Sequence, residues 1–162
     1  MYKAKDLEDL MQPMRISNEN ATAVTVDSIK QVFAGTAEEN SVPYTFGSNE
    51  VKFGGLLNSE VVPALVITHP EHPRDYYGIM VTVQHDSSAA YIHVYNIGKS
   101  KQMKKFAISE MGKQQRKGQS LSFKVGNLAV QGLMSIGKSK DKLAAEQAWY
   151  DAVIAIIDST LE

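Results

Sequence analysis

Apolar and polar positions alternate with period two in two neighbouring stretches of the chain. Ile79, Val81 and Val83 alternate with Met80, Thr82 and Gln84, and Ile92 and Val94 alternate with Tyr91, His93 and Tyr95. Period two is the mark of a strand with two chemically different faces. Asp86-Ser87-Ser88-Ala89 lies between the stretches and is rich in turn-forming residues. A four-residue loop there sets Val83 opposite Ile92 and Val81 opposite Val94. Such β-branched pairs each stabilise a sheet by a few tenths to about 1 kcal/mol. The same register sets Thr82 opposite His93, Gln84 opposite Tyr91, and Met80 opposite Tyr95. One face is then aliphatic, and the other is amphipathic and aromatic. A one-residue slip exchanges the two faces, so the register is strongly specified.

Upstream, Val62-Pro63-Ala64-Leu65-Val66-Ile67-Thr68 is apolar at nearly every position, as expected of a strand buried on both faces at the centre of its sheet. Pro63 has no N–H to donate, which predicts that it starts the strand. Val51 to Leu57 reads as an edge strand, with a bulge at Gly54-Gly55. The spacing of Leu7, Leu10 and Met11 predicts a short helix over residues 4–12, ended by Pro13. Asp27 is the expected N-cap of a second helix carrying Ile29, Val32 and Phe33 up to Gly35. Residues 36–49 read as a loop. Ser100 is expected to cap a helix over about 100–117, with a strand at about 120–126.

A final helix over about 139–160, capped by Ser139, is apolar nearly all round. Gln147, Asp151 and Asp158 form its narrow polar stripe, with Glu146 to one side. A helix of this kind is largely buried. Trp149, Ala152, Val153, Ile156 and Ile157 are its predicted core residues. The fold class expected is α+β in one domain of residues 1–162. Its N-terminal part, about 4–40, is helical, and its sheet spans about 51–97. The sheet is antiparallel with four to five strands, and the C-terminal helix packs across its aliphatic face.

Composition narrows the class. A chain of 162 residues buries about 68–70% of its unfolded surface and needs no staples. It has no cysteine, which excludes disulfides and cysteine-based zinc sites and fits a reducing compartment. The first residues have no apolar core of a signal peptide, and no stretch approaches the ~18 apolar residues that span a bilayer. A cytoplasmic location with no membrane partner follows as the expectation. Charge is uneven: residues 1–60 carry 5 basic and 9 acidic side chains, and residues 99–124 carry 8 basic and 1 acidic.

Three patterns could carry chemistry. Gly132 to Ser139 satisfies G-x-x-x-x-G-K-[ST], in which backbone N–H groups surround phosphates and a Lys reaches the outer ones. That loop belongs at the end of a strand in a parallel sheet, whereas the meander here is antiparallel. What remains is weak anion binding by a helix N-terminus at Gly137, Lys138 and Ser139. His69 and His72, with Glu71 and Asp75 nearby, are candidate metal ligands, but a third ligand has to converge from elsewhere. The basic band from Lys99 to Lys124 could contact phosphates of a nucleic acid or another polyanion. A pI of about 6.4 and a single arginine in the band disfavour that use.

The reading these patterns favour is a small non-catalytic binding or interaction protein with no cofactor. Its site is the amphipathic sheet face, meaning Met80, Thr82, Gln84, Tyr91, His93 and Tyr95. An apolar-aromatic face left open usually marks an interface, and a homodimer or another protein partner could use it. If the N-terminal segment or the helix after Ser100 covers it, the face is core. The alternatives are a polyanion binder and a nucleotide- or metal-dependent enzyme.

Overall fold

The computed structural model describes residues 1–101 and 139–161. Within them lie β1 (Tyr2–Lys3), β2 (Glu8–Asp9), β3 (Met14–Ile16), α1 (Val26–Glu39), β4 (Thr45–Gly54), β5 (Ser59–Thr68), β6 (Gly78–His85), β7 (Ala90–Ile97) and α2 (Ser139–Leu161). Short 3₁₀ turns occupy Ala4–Asp6 and Ala21–Ala23. Beyond Lys101, the helix expected at about 100–117 lies outside the described residues, as do the strand expected at about 120–126 and most of the basic band.

The fold is α+β, but the sheet is larger than expected and mixed. Its seven strands run β1-β4-β5-β6-β7-β2, and β3 also pairs with β7. β1 runs parallel to β4, and the other pairs are antiparallel. The expectation of four to five antiparallel strands missed the N-terminal ones. Strands of two or three residues are too short to show alternation, and the helix expected over 4–12 is a 3₁₀ turn followed by a strand instead. The meander itself folds in the predicted register, with Val83 opposite Ile92, Val81 opposite Val94 and Thr82 opposite His93.

The N-terminal segment fixes the shape of the sheet. Lys3 pairs with Lys52 at one edge, and Glu8 pairs with Asn96 at the other. A flat sheet of six strands in a row measures about 24 Å across. The five residue steps from Lys3 to Glu8 include a 3₁₀ turn and reach only about 13–18 Å. The two edges must therefore curl toward each other. Ring contacts agree: Phe53 on β4 lies 4.9 Å from His93 on β7, although these strands are three positions apart. Flat spacing would separate them by about 14 Å.

Curling creates two cores. The inner one contains Val51, Val62, Ala64, Met80 and Tyr95, with Ala4 and Leu7 of the N-terminal segment packed against it. The outer one joins the aliphatic sheet face to both helices. Leu65, Ile67, Ile79, Val81, Ile92 and Val94 pack with Ile29 and Phe33 of α1 and with Trp149, Val153, Ile156 and Ile157 of α2.

Local chemistry accounts for the remaining departures. Thr25, not Asp27, caps α1: its hydroxyl accepts from Ser28 N–H at 3.1 Å, and the Ser28 hydroxyl accepts from Thr25 N–H at 2.9 Å. The helix runs past Gly35 because Phe33 and Ala37 are both wholly buried, and their packing outweighs one glycine's cost of about 1 kcal/mol. Pro63 is the fifth residue of β5 rather than the first. Pairing with β6 begins at the next residue, Ala64, so the missing N–H falls where β5 has only β4 beside it. Gly54 makes a hairpin turn rather than a bulge. Its φ is +81°, and a Cβ there would stand 2.0 Å from the Asn58 carbonyl oxygen.

Candidate functional site

Three cross-strand rungs cross the inner face. Met80 pairs with Tyr95, Thr82 with His93, and Gln84 with Tyr91. The first rung is the deep one: Met80 is wholly buried and Tyr95 is 2% exposed, beneath Ala4 and Leu7. Thr82 is also wholly buried, while His93, Gln84 and Tyr91 are half-buried. The face therefore slopes from a floor under the N-terminal segment to a rim at Gln84 and Tyr91. The N-terminal cover reaches the floor and leaves the rim accessible.

The middle rung carries an unusual pair of atoms. Thr82 Oγ1 and His93 Nε2 are buried, and neither has a hydrogen-bond partner among the described residues. A buried hydroxyl without a partner costs about 1–3 kcal/mol, and proteins rarely keep two such groups side by side. The His93 ring stacks on Tyr95 at 6.0 Å and lies 4.9 Å from Phe53. Burial lowers its pKa, opposed by the Asp9 carboxylate. The imidazole is thus neutral at neutral pH and offers one donor and one acceptor nitrogen. Burial likewise pushes the Tyr95 hydroxyl up to about 12, with Asp9 adding to the shift.

The rim is fixed by polar contacts. Gln84 Nε2 donates to Glu60 Oε2 at 2.7 Å. The Tyr91 hydroxyl donates to Asp86 Oδ2 at 2.9 Å and accepts from Arg15 Nε at 3.3 Å. Asp86 is held down at about 2, first by the Ser88 N–H and then by the Tyr91 hydroxyl.

The histidine loop is organised differently. His69 and His72 have ring centroids 4.9 Å apart. His72 stacks on Tyr76 at 4.2 Å, and its Nδ1 meets Asp75 Oδ2 at 3.3 Å. His69 Nδ1 accepts from Glu71 N–H at 3.1 Å, and its ring packs on Trp149. Burial lowers the His69 pKa, followed by repulsion from His72. Among the described residues no group of three or more His, Asp or Glu could hold a metal ion. Among the described residues no third ligand joins the pair. Of the anion-binding candidates, Ser139 is the first residue of α2, and Gly137 and Lys138 lie outside the described residues.

Sequence reasoning missed the role of Glu146. It is 1% exposed and ties α2 to the sheet. Its Oε1 accepts from Tyr77 N–H at 3.1 Å, and its Oε2 accepts from the Ser100 hydroxyl at 2.5 Å. The only signal in the sequence was its place beside, rather than within, the polar stripe. No protein-family model, curated protein or solved structure matches this chain.

Proposed function

We propose that this is a small, cytoplasmic, non-catalytic binding protein whose ligand enters at Gln84 and Tyr91. Met80 and Tyr95, under Ala4 and Leu7, are core, whereas the ligand's apolar body rests against the half-buried Gln84, Tyr91 and His93 and carries one polar group. That group meets Thr82 Oγ1 and His93 Nε2. The observation that carries this reading is that both members of one cross-strand pair, Thr82 and His93, hold a buried polar atom without a partner among the described residues. A ligand offering one acceptor and one donor would satisfy both. The accessible part of this face, Gln84, Tyr91 and His93, is narrow, which favours a small ligand over a second copy of the chain, since that needs a wide accessible surface. The lack of cysteine supports a reducing compartment. Among the described residues no helix is long and apolar enough to cross a membrane.

Thr82→Val tests the reading. Valine keeps the shape and removes the unpaired hydroxyl, so the ligand-free variant should be more stable by about 1 kcal/mol. For a chain of this size that raises the melting temperature by roughly 2–4 °C. In a thermal-shift screen of metabolites, a compound that stabilises the wild type should stabilise Thr82→Val much less. A less stable variant with an undiminished ligand response contradicts the proposal.

A further inference from the structure

The turn between β4 and β5 carries the most exposed apolar residues of the described chain. Leu56 is 104% exposed and Leu57 97%, so both side chains stand almost wholly in solvent. Val61, Tyr2 and Met1 add exposed apolar surface from β5 and the N-terminal segment. Beside the tip lies a hollow of about 370 Å³ lined by Lys3, Lys5, Lys52, Gly54, Gly55 and Leu56. Lys3 and Lys52 are register partners in the β1–β4 pair. Like charges directly opposite each other destabilise a sheet. Among the described residues none of the three lysines faces a carboxylate within ion-pair distance. Asp6 and Glu50 are exposed nearby, but neither lines the hollow, and Glu60 accepts a hydrogen bond from Gln84.

We propose that this hairpin tip docks on a bilayer surface rich in anionic phospholipid. Leu56 and Leu57 enter the acyl boundary, while Lys3, Lys5 and Lys52 meet the lipid phosphates and carboxylates. Two observations select this occupant. The lysine hollow calls for negative charge, and a second copy meeting the same patch would set lysine against lysine. The leucines project from a convex tip, and a fluid apolar layer accepts that shape without a matching pocket. No spanning helix is needed for such peripheral contact, which combines apolar insertion with attraction to anionic lipid.

Sedimentation of the full chain with vesicles tests the proposal. Vesicles of phosphatidylcholine mixed with phosphatidylserine should bind the protein, and phosphatidylcholine alone should bind it far less. Added salt should weaken the binding. Lys3→Gln with Lys52→Gln should lower partitioning about 30-fold, since each lysine near such a surface contributes about fivefold. Leu56→Ser with Leu57→Ser should lower it at least about tenfold. All four side chains are solvent-facing or partly so, and unchanged thermal unfolding of both variants would confirm that the fold is intact. Equal binding to both vesicle types overturns the proposal. So does binding to polyglutamate but not to vesicles, which would indicate an acidic protein partner. A dimer in solution that Leu56→Ser dissociates, with no vesicle binding, also overturns it and makes the tip a self-interface.

Discussion

Trp149→Ala should destabilise the protein by about 3–5 kcal/mol. The indole is 6% exposed and stands between the histidine loop and the body of α2. It lies 5.4 Å from the His69 ring and 6.1 Å from Tyr76. Its Nε1 donates to the Pro43 carbonyl at 2.7 Å, which fastens α2 to the connection between α1 and β4. Truncation removes a large buried surface and this hydrogen bond together. Trp149→Phe keeps most of the ring surface and loses the hydrogen bond, worth about 1 kcal/mol. Urea unfolding followed by circular dichroism separates the two variants. A cost below about 1 kcal/mol for Trp149→Ala would mean that α2 is not packed on the sheet in this way.

Glu146 should give the protein a pH-dependent stability that glutamine abolishes. Burial raises its pKa, against the Ser100 hydroxyl and Tyr77 amide that hydrogen-bond the carboxylate. A carboxyl group whose folded pKa lies above its unfolded value binds its proton more tightly in the folded state. Its contribution to stability is fully present below the unfolded pKa of about 4.3 and is lost as pH rises through the folded pKa. Wild-type protein should therefore lose stability from this group above about pH 4.3. In Glu146→Gln that component should vanish. The amide oxygen still accepts from Tyr77, and the Ser100 hydroxyl can turn to accept from the amide. Glu146→Ala leaves the buried Ser100 hydroxyl and the part-buried Tyr77 N–H without this partner and should cost about 2–5 kcal/mol. Urea midpoints over a pH series decide the matter: identical pH profiles for wild type and Glu146→Gln would remove Glu146 from the account.

Side-chain alternation specifies which residues share a face, but it says nothing of curvature. The rungs Met80–Tyr95, Thr82–His93 and Gln84–Tyr91 were legible because both strands of the meander alternate cleanly and the turn between them has one natural length. The burial of Trp149, Val153 and Ile157 against the sheet was legible for the same reason, since a helix apolar nearly all round has to be covered. The curl was not legible. It depends on Tyr2, Lys3, Glu8 and Asp9, four mostly polar residues whose strands are too short to carry a pattern. Leu7 accordingly read as one face of a helix, whereas it packs against the inner core between two strands.

Polar residues misled in a second way. Gly47, Ser48 and Asn49 read as loop, yet they lie within β4, near the sheet's edge, where solvent accepts polar side chains. Thr82 and His93 were placed on the right face, but their lack of partners emerges only once the sheet closes over them. A periodicity argument cannot distinguish a satisfied threonine from an unsatisfied one, because satisfaction depends on groups distant in the chain. Glu146 illustrates the converse, a carboxylate that looks like surface until Ser100 and Tyr77 are brought beside it.

The most direct test of the inner face as a binding site is a nuclear magnetic resonance titration. A compound found by thermal shift would be added to isotopically labelled protein, and the shifts of individual residues followed. The account predicts the largest changes at Thr82, Gln84, Tyr91 and His93, with the His93 imidazole resonance moving as its Nε2 gains a partner. Large changes confined to His69, His72 and Tyr76, with Thr82 and His93 unmoved, would contradict it.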